Sequence, residues 1–144
     1  GFPAVETIAG STESELRACK LGFRAPYLLG TARAIVEGRI CLEALHGQDT
    51  PAARQVLESF PGVGRKIADC VLLFAYGRQD AFPVDVWVQK ALRGLYFPRA
   101  RRLSPARLLH FSQTHFGAWG GYAQQYLFHY VRVHLGRNWE PPRC

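Results

Sequence analysis

The chain has no methionine and only three lysines, Lys20, Lys66 and Lys90, against fifteen arginines. A lysine at a critical position is therefore not a by-product of lysine abundance. Only four cysteines occur, Cys19, Cys41, Cys70 and Cys144, with no C-x-x-C pair and no spacing suited to a structural zinc or an iron–sulfur cluster. Cysteines scattered in this way through an Arg-rich chain are expected of a reducing, intracellular setting, the nucleus in a eukaryote or the cytoplasm and nucleoid in a bacterium. No run approaches the ~18 apolar residues of a membrane span and the start does not read as a signal peptide, so no membrane partner is expected. Strand signals are nearly absent, because no alternating β-branched run is bounded by turns. Internal repeats and low-complexity tracts are missing as well. With no Met and an opening of Gly1-Phe2-Pro3 in mid-pattern, the sequence is expected to be a piece of a longer protein.

What is present is enough for one folded domain over residues 1–144: 48% hydrophobic and 20% charged residues in 144 support a real core. The net charge of +7 and pI of about 9.6 favour a polyanionic partner, although basic charge alone is unspecific. Helix signals run the length of the chain. Thr12 and Glu15 have capping-box spacing for a helix over 12–21, and Gly22 is its stop. Pro26 opens the next helix, in which Leu28, Ala32, Ile35 and Val36 keep one apolar face up to Gly38. A short turn is expected over 40–45. Thr50 then caps a helix with Pro51 behind it, and Val56, Leu57 and Phe60 face the core. A helix over 65–76 ends at Gly77, and Asp85 stands at the N-cap of a helix from Val86 to Phe97. Arg99, Arg101 and Arg102 form a basic connector before the Ser104-Pro105 start of a helix reaching Phe116. Gly117, Gly120 and Gly121 break the chain before a last helix from Tyr122 to about Leu135. The expected fold class is all-α, a helical bundle of seven or eight helices with short connections and a helix-hairpin-helix motif at about 52–76.

That motif centres on Phe60-Pro61-Gly62-Val63-Gly64-Arg65-Lys66-Ile67-Ala68-Asp69-Cys70. Two glycines let the backbone turn tightly and approach a partner without a Cβ between them. Ile67, Cys70, Val71 and Phe74 recur at helical spacing and predict a buried face. A hairpin leading into a helix start offers backbone N–H groups to a phosphate, and Lys66 emerges from that first turn. Each feature also has a plainer reading: a simple turn for Gly62 and Gly64, a solvated lysine for Lys66, a helix cap for Asp85.

Helix, Pro-Gly-Val-Gly-x-Lys, apolar helix, then Val84-Asp85 nineteen residues after the lysine resembles the helix-hairpin-helix DNA glycosylases. Gly22-Phe23-Arg24-Ala25, Pro83-Val84-Asp85-Val86 and Gly121-Tyr122-Ala123-Gln124 to Leu127-Phe128 extend the likeness over nearly the whole chain. Within that superfamily it is most similar to the 8-oxoguanine DNA glycosylases. The resemblance implies excision of an oxidised purine from double-stranded DNA, with strand nicking by AP lyase chemistry, no cofactor and a monomeric protein. An amine can attack C1′ and form a Schiff base once desolvation or neighbouring cations such as Arg65 lower its pKa, the role implied for Lys66. Cleaving a sugar–base bond develops positive charge on the sugar, which suits a carboxylate, the role implied for Asp85.

The same resemblance implies that Phe128 stacks on the flipped base, that Gln124 hydrogen-bonds its edge and that Cys70 lines the opposite side. On spacing alone Phe128 and Cys70 are equally well read as core residues. Phe23 resembles a wedge for the gap left in the duplex, and Arg24 a reader of the orphaned base, though unaided the stretch says only "loop". Gly62, Val63, Gly64 and Arg65 would face the DNA backbone, with a monovalent cation on the hairpin carbonyls implied by the family only. Trp87 is kept among the DNA-facing residues, where the mammalian type carries histidine. Further readers of the opposite base, and any N-terminal β-rich domain, would lie upstream of Gly1, so cytosine specificity is not fixed by this stretch. Two alternatives stand beside this reading. One is a glycosylase for another damaged base such as an alkylated purine; the other is a non-catalytic helix-hairpin-helix DNA-binding module.

Overall fold

A computed structural model describes residues 1–100 and 102–135; Arg101 of the expected basic connector and Cys144 lie outside the described residues. Among the described residues there is no strand, and the chain is all-α as expected. Eight α-helices follow in order among the described residues: α1 (Val5–Gly10), α2 (Glu13–Leu16), α3 (Ala25–Val36), α4 (Thr50–Glu58), α5 (Arg65–Phe74), α6 (Val86–Leu95), α7 (Pro105–Phe111) and α8 (Gly120–Tyr130). The chain divides into two compact units, Gly1–Ala68 and Asp69–Cys144, with the division falling within α5.

In the first unit α1 and α2 pack on α3. Their core is Ile8, Leu16, Ala25, Leu29 and Ala32, with Val5, Ala9, Leu21 and Leu28 around it. Helix α1 was not anticipated, since six residues with no capping side chain on Ala4 carry too little pattern to read. The capping box of α2 is formed: Glu15 N–H donates to Thr12 Oγ1 at 3.2 Å, and Thr12 N–H donates to Glu15 Oε2 at 2.7 Å. That N–H, and then the Thr12 hydroxyl, hold the Glu15 carboxyl below its usual range. Two helix starts lie one residue earlier than expected. Asp49, not Thr50, caps α4, its Oδ1 accepting from Ala52 N–H at 2.8 Å, and α3 begins at Ala25. The physical reason is that the first helical N–H groups have no partner in the helix anyway, so proline fits the second position as well as the first. The core face of α3 is also turned from the expected one. Ala25, Leu29 and Ala32 are buried, whereas Val36 is half exposed to water.

The second unit is built on Phe82, Val88, Ala91, Leu92, Leu103, Leu108, Leu127 and Val131. Burying each larger aliphatic side chain contributes roughly 1.5–3 kcal/mol before entropy is set against it. Aromatic rings close the cluster, among them Phe82 stacked on Phe116 with centroids 5.8 Å apart and Tyr96 tilted on Phe111 at 4.9 Å. Ser104 caps α7 as expected, accepting from Arg107 N–H.

Two expectations are corrected here. Helix α5 buries Ala68, Asp69, Leu72 and Leu73, while Ile67 and Phe74 are exposed and Cys70 and Val71 only half-buried. This helix is apolar nearly all round, so several faces satisfy the same spacing and the period does not choose among them. Gly120 and Gly121 do not break the chain; they form the buried first turn of α8. A Cβ on Gly121 would lie 2.4 Å from Leu73 Cδ1 and 3.1 Å from the Gln79 carbonyl oxygen, so close packing is what requires glycine there. A conformational repeat also appears that no sequence similarity announces. A widened turn, a glycine at φ 56°, a 3-10 turn and a helix follow one another at 17–25 and again at 112–120.

Candidate active site

The hairpin between α4 and α5 is held from two sides. Val63 N–H donates to Phe60 O at 3.1 Å, and the Gly64 carbonyl accepts from Ile67 and Ala68, so the turn runs directly into the helix. Gly62 has φ 72°, and a Cβ there would be 2.5 Å from Tyr27 Cδ2. Glycine is thus required twice over, by backbone and by the Tyr27 ring. Gly64 differs: it has no left-handed φ, and an added Cβ would meet open space. The expected close approach is therefore made inside the chain by Gly62, and Gly64 leaves room outside it. The carbonyls of Pro61, Gly62 and Val63 accept no hydrogen bond among the described residues. Their oxygen donor set fits a hard monovalent cation, which would add positive charge beside the hairpin. Among the described residues no group of His, Cys, Asp and Glu could hold a metal ion.

Lys66 lies in the first turn of α5, exposed, and makes no hydrogen bond or ion pair among the described residues. Arg65, one residue earlier, is exposed as well. At the start of α3, Phe23 is 74% exposed on a 3-10 turn, with the Arg24 guanidinium 6.0 Å from its ring centre. A phenylalanine this open contributes nothing to the core, so the plain-loop reading leaves its chemistry unexplained.

In the second unit the stretch before α6 is anchored by Ala81, Phe82 and Pro83, all buried. Asp85 caps α6 with a single oxygen. Its Oδ1 accepts from Trp87 N–H at 3.0 Å and Val88 N–H at 2.8 Å, and Oδ2 has no partner among the described residues. Cap and spare oxygen coexist, so the two readings of Asp85 do not compete. The Trp87 ring packs half-buried on the core, with Lys90 Nζ 5.9 Å from its centre.

Helix α8 carries Gln124 and Phe128 one turn apart. Gln124 is buried; its Oε1 accepts a short hydrogen bond from Gln125 Nε2, and its own amide N–H₂ donates to nothing among the described residues. A largely buried glutamine whose unused N–H₂ still reaches solvent is suited to reading a ligand edge. Phe128 is half-buried against the core cluster with Arg132 5.8 Å from its ring centre, so packing accounts for one side of the ring. Cys70 is half-buried on α5 and not in a disulfide.

Two positioning features escaped the sequence reading. Tyr27, behind Gly62, shows no local signal, because its partner is 35 residues away in the chain. Gln79 accepts Gly121 N–H on its backbone oxygen at 2.6 Å and thereby docks the start of α8 one turn before Gln124. A polar residue just after the stop glycine of α5 was the available hint.

A family model described as HhH-GPD superfamily base excision DNA repair protein matches residues 1–110. A probable N-glycosylase/DNA lyase of Methanothermobacter thermautotrophicus is 34% identical over 119 residues, 83% of this chain and 37% of the relative. The solved 8-oxoguanine glycosylase/lyase of Clostridium acetobutylicum, in complex with double-stranded DNA containing cytosine opposite 8-oxoguanine, is 39% identical with a TM-score of 0.86 over 92% of this chain and 45% of that one. A 3-methyladenine DNA glycosylase from Archaeoglobus fulgidus follows at 32% and 0.73, over 93% of this chain and 44% of that one. The chain thus spans less than half the length of the relatives it matches.

Proposed function

Because the chain belongs to the HhH-GPD superfamily of base excision DNA repair proteins, we propose that it acts on duplex DNA as a bifunctional glycosylase and AP lyase, with 8-oxoguanine as the base removed. The observation that carries this reading is a pair of groups left unengaged among the described residues: the Lys66 amine behind the hairpin, and the second oxygen of a capped Asp85. Neutral Lys66 would attack C1′ while the sugar–base bond breaks and its electron pair leaves with the base. Asp85 would stabilise the positive charge that develops across C1′ and the ring oxygen. Opening of the C1′–O4′ bond, with a proton passing to O4′, would turn the resulting adduct into a Schiff base, and loss of a C2′ proton from it would then expel the 3′ phosphate and nick the strand. Lys66 is exposed in the free protein, so the bound duplex has to exclude the water around it.

Phe23 would fill the gap in the stack, Arg24 would meet the orphaned base, and Gln124 would offer its unused amide to the flipped purine. Gly64, with space where a Cβ would be, supports a phosphate seated on the hairpin, flanked by Val63 and Arg65. A monomeric state, an intracellular site of action and a monovalent cation on the hairpin carbonyls belong to the same proposal.

The likeness to a 3-methyladenine glycosylase favours a second reading, removal of an alkylated base. Hydrolytic removal of that kind has no need of an amine nucleophile, which weighs against it here. A nicking and base-release assay separates the readings, using duplexes with 8-oxoguanine opposite each of the four bases and a duplex with 3-methyladenine. Nicking of 8-oxoguanine strands is the expected outcome. Release from the alkylated duplex alone would move the function to the second reading, and binding with no release anywhere would leave a DNA-gripping module.

A further inference from the structure

We propose that α3 is a strut joining the wedge to the anchor, and that Tyr27 is a positioning residue for the hairpin; this rests on the repair reading above. Two faces of α3 do different work. Ala25, Leu29 and Ala32 face the α1–α2 core. Tyr27 and Gly30, at i and i+3 on another face, meet the hairpin instead. The Tyr27 ring lies where a Cβ on Gly62 would be, and Pro61 Cγ lies 3.1 Å from where a Cβ on Gly30 would be. The tip of the hairpin is therefore seated on α3 at two successive residues, each contact having a glycine on one side: Gly62 under the Tyr27 ring and Gly30 under the Pro61 ring.

The same helix begins directly after the turn that carries Phe23 and Arg24, four and three residues before Tyr27. A helix is stiff over that distance, with a rise of about 1.5 Å per residue. It sets one fixed spacing between the exposed Phe23 ring and the hairpin backbone. A wedge entering the base stack and an anchor on the phosphates must be a set distance apart for both to engage one duplex. The Tyr27–Gly62 and Gly30–Pro61 seats supply that distance. The Tyr27 ring does this work, not its hydroxyl.

The test uses the 144-residue chain and a duplex carrying a non-cleavable abasic-site analogue, with melting curves on every variant. Equilibrium binding is measured alongside the single-turnover trapping rate on an 8-oxoguanine duplex at saturating protein. Tyr27→Leu and Gly30→Val, which disturb the two seats on α3 by removing a ring from one and adding a side chain at the other, are expected to bind about tenfold more weakly. Both should keep a saturated rate within about twofold of wild type, and Tyr27→Phe should restore wild-type binding. Wild-type binding by Tyr27→Leu overturns the strut, as does a lost rate with affinity intact. If Tyr27→Leu fails to melt cooperatively, Gly30→Val decides. A wild type that binds but never traps would sink the repair chemistry, while the binding comparison would still judge the strut.

Discussion

The hairpin and the loop before α6 solve opposite problems. In the hairpin the backbone is pinned and the proposed nucleophile is loose: Gly62 is locked on Tyr27, while Lys66 is exposed to water with no partner among the described residues. Before α6 the proposed counter-charge itself is pinned. Buried Ala81, Phe82 and Pro83 fix the chain, and two helix N–H groups hold one Asp85 oxygen. The difference follows from the chemistry each group would perform. A nucleophile has to travel to its carbon and then remain bonded to it through later steps. A counter-charge works by already being in place when charge develops.

Replacing Asp85 tests this contrast with the largest effect. Asn caps a helix as well as Asp does, so Asp85→Asn should melt within about 0.5 kcal/mol of wild type. Its excision rate should nevertheless fall about 10²–10³-fold, since only the charge is gone. An unchanged rate would reduce Asp85 to a cap and break the comparison on that side.

The two hairpin glycines give the next largest effect. Gly62→Ala adds a left-handed backbone penalty of about 1–2 kcal/mol and an overlap with Tyr27 of about 1–3 kcal/mol, both read from urea unfolding. Gly64→Ala should cost less than about 0.5 kcal/mol, because its Cβ meets open space. Duplex binding should weaken for Gly64→Ala all the same. Equal losses of stability at both positions would erase the distinction between a glycine serving the fold and one serving a bound phosphate.

The smallest effect lies at α2. Glu15 has a lowered folded carboxyl pKa, so its contribution is fully present above its ordinary value of 4.5 and is lost as pH falls through the folded value. Glu15→Gln keeps a capping-box partner without the charge. Between pH 7 and pH 3, wild type should therefore lose slightly more of its urea midpoint than the variant does.

How much was legible in the chain depended on the range of the interaction. The Thr12–Glu15 box, the Ser104 cap and the Asp85 cap join residues two or three apart, and short-range hydrogen bonds leave their mark in residue choice. The one-residue slip at Asp49 and Thr50 arose because both can cap. The face of α5 was misread, since its apolar residues lie on nearly every side and the buried side also holds Asp69. Gly121 was misread because its constraint comes from Leu73 and Gln79, not from its neighbours in sequence. Tyr27 was invisible for the same reason. Lys66 and Asp85 are the residues that the motif singles out for the proposed chemistry. That one is unbound and the other bound through a single oxygen is a property of the folded chain.

The central claim is that Lys66 is the nucleophile, and its most direct measurement is borohydride trapping on an 8-oxoguanine duplex followed by peptide mapping of the adduct. The account predicts one covalent protein–DNA species, mapped to Lys66, that disappears in Lys66→Gln. An adduct mapped to another residue, or one of undiminished yield in Lys66→Gln, would contradict it.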